Sequence, residues 1–270
     1  MSLTHEHGGP GHDRGVPADP PVCDTAPALG SSTADPAAVI PAPRVDILRA
    51  ASGTRLIMVR HGESVAQRSD TVAGHSGCLG LTDVGRAQAA ALGKRLQATG
   101  ELASVSVIHT SRMLRARQTA DIVASALGDV AVEETCALCE YHPGEGDGLS
   151  QREFDARWPT VNPWDPHERR APGSETWAEM AHRVAAGLDA LIDAHRGRTV
   201  VVVTHSGVII QAMMRWLDLR FVRQADLAWL EAANASLTSW QVTANPFRPD
   251  GLPLELVTFS DAAHLVGPHF

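Results

Sequence analysis

Leu56-Ile57-Met58-Val59-Arg60-His61-Gly62-Glu63 is an apolar run ending on a charged box. Val200-Val201-Val202-Val203-Thr204-His205-Ser206-Gly207 repeats that design far along the chain. Short, continuous apolar runs rich in β-branched side chains read as strands covered on both faces, which is the pattern of a parallel sheet. Each run delivers one imidazole at its C-terminal end. In open α/β sheets that edge is where ligands bind. Two histidines brought to one such edge point to an enzyme.

Outward from these runs, strand and helix patterns alternate. Residues 81–98 read as a helix with Thr82 as its N-cap, 105–108 as a second strand, 113–127 as a helix and 130–132 as a shorter third strand. Over 174–194, Trp177, Met180, Ala181, Val184, Leu188, Leu191 and Ile192 recur at three- and four-residue spacing, with Ser174 as the expected N-cap. Residues 208–217 are apolar almost all round, so this helix is expected to lie deep. Residues 238–242 and 254–259 read as late strands towards the sheet edge. The expected fold class is α/β: a single three-layer domain with a mostly parallel central sheet and helices on both faces.

That domain is expected over residues 53–270, with an irregular, proline-rich cap over about 142–173. Residues 1–52 are crowded with Pro, Gly and Ala and lack apolar periodicity, so they read as a disordered tail. His5, His7 and His12 within it read as solvated. No internal repeat is visible.

The 270-residue chain is 44% hydrophobic, enough for a real core, and carries a net charge of −8 with His neutral. That balance argues against nucleic acid and anionic lipid as partners. With no signal-peptide pattern and no membrane-length apolar stretch, the expected compartment is the cytoplasm. Cys136-Ala-Leu-Cys139 has C-x-x-C spacing, but no second pair completes a zinc site. The four cysteines are therefore expected to be reduced, structural thiols. Homodimerisation is left open, since no interface can be read from one chain.

The residues at the sheet edge suit phosphate chemistry. A neutral imidazole has a lone pair able to attack phosphorus and form a phosphohistidine. His61 alone is equally well read as a satisfied strand-end histidine. Arg112, Arg115 and Arg117 open the helix after the second strand, where a guanidinium can grip phosphate through paired hydrogen bonds. At most one or two of them can face inward. Glu140 follows the third strand and could act as general acid and base, with Glu145 and Asp147 as rivals on a nearby loop. His205-Ser206-Gly207 opens a helix whose first amides attract anions.

In this arrangement the chain resembles the histidine phosphatase superfamily, the phosphoglycerate mutase-like group. The Arg60-His61-Gly62-Glu63-Ser64 box carries the likeness. Leu81-Thr82-Asp83-Val84-Gly85, Ser111-Arg112-Met113-Leu114-Arg115-Ala116, Leu138-Cys139-Glu140, Gly173-Ser174-Glu175, Thr204-His205-Ser206-Gly207 and Asn234-Ala235-Ser236 follow in the family's order. The resemblance implies His61 as nucleophile, with Arg60, Arg115 and His205 completing the phosphate pocket and Glu140 as acid and base. It extends substrate binding to Ser206 and to Gln67, which stands where the family usually has Asn. The loop of residues 73–80 departs from the family pattern, so specificity does not transfer.

The implied activity is metal-independent hydrolysis of a small-molecule phosphate monoester, with no cofactor. Mutases of this family carry a long insertion between the acid/base and the Gly-x-Glu motif. Here the interval from Glu140 to Gly173 is short, which favours water as acceptor. Phosphoglycerate mutase-type transfer is the second reading. A non-catalytic phospho-ligand module is the third, disfavoured because nucleophile and acid are both retained. Trp158, Trp164, Arg169 and Arg170 are candidates to line the cap, though packed or solvated surface is the simpler reading for each.

Overall fold

The computed structural model describes residues 40–161, 165–219, 230–244 and 250–266. Six strands form one sheet: β1 (Arg55–Arg60), β2 (Val107–Ser111), β3 (Ala131–Thr135), β4 (Thr199–Thr204), β5 (Leu237–Val242) and β6 (Leu254–Asp261). Their order is β3-β2-β4-β1-β5-β6. The first four run parallel, while β5 and β6 are antiparallel additions on the β1 side. The helices are α1 (Val45–Ala50), α2 (Val65–Arg68), α3 (Asp83–Thr99), α4 (Leu114–Ala126), α5 (Gln151–Arg157), α6 (Trp177–Ala194) and α7 (Ser206–Trp216).

Alternation along the strands sorts the core into two layers. Leu56 and Met58 of β1, with Val200 and Val202 of β4, meet α1, α6 and α7 through Leu48, Val184, Leu188, Val208 and Ile209. Ile57 and Val59, with Val201 and Val203, meet α3 and α4 through Leu92, Leu96, Ala120 and Val123. Side chains on a strand alternate faces, so β4 needs apolar residues at every position to fill both layers. This is the three-layer α/β domain expected from the sequence, with β4 buried at its centre.

Several boundaries differ from the sequence reading. Residues 45–50 belong to the domain: α1 buries Leu48, and Ala51 behind it is also in the core. The tail boundary at 52 is therefore wrong for residues 40–52; residues 1–39, with His5, His7, His12 and Cys23, lie outside those described. Thr176 caps α6, in place of Ser174. Its hydroxyl accepts from Glu179 N while the Glu179 carboxylate accepts from Thr176 N, a reciprocal capping box. Trp177 is exposed rather than buried and packs on Tyr141 at 5.5 Å. The cap region is not wholly irregular, since it contains α5, itself opened by a capping box at Ser150. Cys78 and Cys139 are free and buried, whereas Cys136 is disulfide-bonded, against the expectation of reduced thiols. Among the described residues no helix is long and apolar enough to cross a membrane.

Candidate active site

Three neighbouring parallel strands, β2, β4 and β1, end side by side. Arg60 is in register with Thr204, and Thr110 with Val203. The next residues, His61, His205 and the last residue of β2, Ser111, consequently meet at one edge. His61 N donates to Thr204 O at 2.9 Å, and the two imidazoles stand edge to face with centroids 5.1 Å apart. This is the sheet edge that the sequence reading singled out.

His61 is fixed from both ends of its ring. Nδ1 lies 2.7 Å from Gly62 O. A carbonyl can only accept, so the proton sits on Nδ1 and Nε2 keeps its lone pair. Arg115 Nε donates to that Nε2 at 3.2 Å. Burial, followed by the Arg115 charge, holds the His61 imidazole well below the usual histidine range. Burial, followed by Arg115 and His61, does the same to His205. Both rings are thus neutral at physiological pH. Ser111 Oγ lies 2.7 Å from His205 Nε2, closer than its 3.3 Å to Cys139 Sγ. His205 Nδ1 is buried without a partner among the described residues. When the Ser111 hydroxyl donates to Nε2, Nδ1 carries a proton it can give to an incoming oxygen.

Arg115 is buried and anchored by its other nitrogens, with Nη1 donating to Ala73 O at 3.1 Å and Nη2 to Met113 Sδ at 3.2 Å. Thr119 ties it to the loop of His61 and Gly62 by donating to Arg115 O and accepting from Gly62 N. Gly62 has a packing reason beyond any approach to an anion, because a Cβ there would stand 2.3 Å from Gly85 O at the start of α3. Arg60 is buried as well. It donates to Ala232 O and, at 2.8 Å, to Glu231 Oε1, while its Nε has no partner among the described residues.

Glu140 sits against the N-terminus of α7, the helix that His205 caps. Gly207 N donates to its Oε2 at 3.0 Å, and Tyr141 N to its Oε1 at 3.2 Å. A clamp behind it holds the segment. Arg183 of α6 donates to the carbonyls of Cys136, Ala137, Cys139 and Glu140, and pairs with Glu175. Glu175 in turn accepts from His142 N. Sequence reasoning missed Arg183, and it placed Glu175 in a motif without a role.

The two rival acids differ in their surroundings. Asp147 accepts from the backbone N–H groups of Gly74, Ser76 and Gly77, and Glu145 is exposed on a 3₁₀ turn. Gln67 is the third residue of α2, and its carboxamide oxygen accepts from Ser64 and from Asn234 Nδ2. Asn234 Nδ2 also donates to His61 O at 3.0 Å, a link not foreseen from sequence. Ser206 is the first residue of α7. Arg117 pairs with Glu134 at the surface. In the cap, Trp158 packs on Phe154, Arg170 lies over the same ring 4.5 Å from its centroid, and Arg169 pairs with Glu179. These three hold the cap together; Trp164 lies outside the described residues.

The family model for the histidine phosphatase superfamily (branch 1) matches residues 56–252. The chain belongs to this superfamily. Within it, the chain is 34% identical over 170 residues, 60% of its length and 75% of the relative's, to 2,3-bisphosphoglycerate-dependent phosphoglycerate mutase 2 of Gloeobacter violaceus. It is 29% identical over 60% of its length and 68% of the relative's to a metal-independent phosphoserine phosphatase of Arabidopsis thaliana. Among solved structures, a mycobacterial glucosyl-3-phosphoglycerate phosphatase in complex with VO3 superposes with a TM-score of 0.57 at 27% identity, covering 69% of this chain and 92% of that one. Histidine phosphatase relatives thus include both hydrolases and mutases, and the chain has the superfamily's single α/β domain.

Proposed function

We propose that the chain is a metal-independent phosphomonoesterase that hydrolyses a small phosphorylated metabolite through a phosphohistidine on His61. The observation that carries this reading is the state of His61: its proton is held at Nδ1 by Gly62 O at 2.7 Å, and a guanidinium lies 3.2 Å from its free nitrogen. Nε2 attacks phosphorus in line, forming the N–P bond as the ester P–O bond breaks. Arg115, Arg60 and the Nδ1–H of His205 spread the charge on the phosphoryl oxygens. Ser206, the first residue of α7, and Gln67, linked to His61 O through Asn234, are assigned to substrate binding in this reading. Glu140 gives a proton to the departing alkoxide, then takes one from the water that cleaves the N–P bond.

Hydrolysis is favoured over return of the phosphoryl group to a substrate because the interval from Glu140 to Gly173 is short. The short segment after Glu140 closes on itself, through Glu145 N to Pro172 O and Glu175 N to His142 O. The acceptor is then water, and the partner a free phosphate monoester rather than nucleic acid or membrane. The relatives named for phosphoserine and phosphoglycerate substrates support this class.

Glu140→Gln tests the assignment through the leaving group. On an alkyl phosphate the alkoxide needs its proton, and turnover should fall by about 10²–10⁴-fold. On an activated aryl phosphate the phenolate leaves unaided, phosphorylation should be nearly unchanged, and phosphoenzyme should accumulate for want of a base. Equal losses on both substrates without accumulation would reject Glu140 as the acid.

A further inference from the structure

Beside the phosphate pocket, four metal-ligating side chains converge from two stretches of chain. His75 lies in the loop between α2 and α3, and Cys136, Cys139 and His142 follow β3. One ligand atom from each lies within 4.8 Å of all the others. Cys136 Sγ stands 3.6 Å from Nε2 of His75 and 3.6 Å from Nε2 of His142. With zinc–sulfur bonds of about 2.3 Å and zinc–nitrogen bonds of about 2.0–2.1 Å, a tetrahedral ion sets sulfur and nitrogen ligands about 3.6 Å apart. Two cysteines and two histidines are also a donor set of closed structural zinc sites.

The surroundings fit a metal as well. A histidine ligand ordinarily turns its other ring nitrogen to a carboxylate, which fixes the ring. His142 Nδ1 lies 3.7 Å from Glu175 Oε2. Cys139 Sγ lies 3.3 Å from the Ser111 oxygen. Arg183 holds the carbonyls of Cys136 and Cys139, so the backbone bearing three of the ligands is already shaped.

We propose that His75, Cys136, Cys139 and His142 form a structural zinc site, separate from the phosphoryl chemistry, that pins the loop after Ala73 to the segment presenting Glu140. Ala73 O holds Arg115, so the ion would fix both the guanidinium and the acid from one point. Cys136 is disulfide-bonded in this structure, so its sulfur reaches the metal only after reduction. A phosphine supplies the two electrons: the S–S bond splits into two thiols as the phosphine takes oxygen from one water and becomes its oxide. Zinc binding then releases one proton from Cys136 and one from Cys139, and the two thiolates balance the ion's charge.

The test uses the full chain, reduced with a phosphine and titrated with zinc, then with cobalt as a spectroscopic stand-in. Retention of one equivalent of zinc against a competing chelator is expected, and the cobalt form should show thiolate charge-transfer and tetrahedral visible bands. Changes outside the first ligands cost about 10–100-fold in affinity, so His75→Ala and His142→Ala should each cost at least about 100-fold. Both residues are only partly buried, and thermal melting will show that these variants fold. Cys139→Ser should weaken binding and diminish the charge-transfer band. The unreduced chain should bind more weakly. Undiminished binding by the histidine variants would put the ion elsewhere, the tail histidines included, and would overturn the proposal. So would a reduced wild-type chain that retains no zinc.

Discussion

Gly207 and Glu140 touch so closely that a Cβ on residue 207 would stand 2.1 Å from the carboxylate Oε1. Gly207 also donates its N–H to the other oxygen of that carboxylate. The first turn of α7 therefore sets where the Glu140 carboxylate stands. Gly207→Ala should push the carboxylate aside while the helix stays intact, because the obstructing atom ends a flexible side chain. Turnover of alkyl phosphates should fall by up to the about 10²–10⁴-fold that general-acid help supplies, with little change in melting temperature. Wild-type kinetics in this variant would show that the acid is elsewhere.

Arg183 and Glu175 are both about nine-tenths buried, with side-chain exposures of 11% and 10%. Replacing Arg183 by Met would strand a buried carboxylate and release four carbonyls. Losing one partner of a buried pair costs about 3–5 kcal/mol, and denaturant unfolding should show a loss of that order. Arg183→Lys should recover only part of it, since an ammonium cannot repeat the fork. A loss below 1 kcal/mol for Arg183→Met would mean that the clamp is not structural.

Starting the chain at residue 53 should destabilise the domain. It removes Leu48 and Ala51 from the core, and Arg215 loses the carbonyls of Pro41 and Ala42. Leu48→Ala alone should cost about 2–5 kcal/mol as a large-to-small core change. Equal melting temperatures for the chain from 53 and the full chain would contradict the packing of α1.

His61 and His205 are held neutral in the fold, below the value of about 6.5 they recover on unfolding. The unfolded chain then binds more protons, so the stability they contribute is complete above pH 6.5 and is lost as pH falls towards their folded values. The melting temperature should decline below that pH. The acid limb of kcat/KM, which reports the free enzyme, should lie below the ordinary histidine value. A limb centred near 6.5 would contradict the protected neutral nucleophile.

Much of the fold and pocket was legible because it is written in contiguous residues. The Leu56–Val59 and Val200–Val203 runs are apolar throughout, as strands filling two layers must be, and each carries its histidine directly behind it. What escaped depends on distant packing. The six residues of α1 sit in a proline-rich context, and only the burial of Leu48 as α1 packs on α6 makes them a helix. The hydrogen bond of His205 to Ser111, and the span of Arg183 across four carbonyls, exist only once strand order is known. The His75 cluster joins loops 61 residues apart, which a search for paired C-x-x-C motifs does not detect. The Thr176–Glu179 capping box, by contrast, is legible in the sequence as Thr-x-x-Glu, two residues after the expected cap Ser174.

In the proposed mechanism, Nε2 of His61 is the atom that takes the phosphoryl group. Wild-type protein and the Glu140→Gln variant should be mixed with phosphorus-labelled aryl phosphate and quenched in base within one turnover. Label stable in base, labile in acid and located on residue 61 by peptide mapping is expected, with more of it in Glu140→Gln and none in His61→Ala. Label on a serine or cysteine, or steady turnover by His61→Ala, would contradict the account.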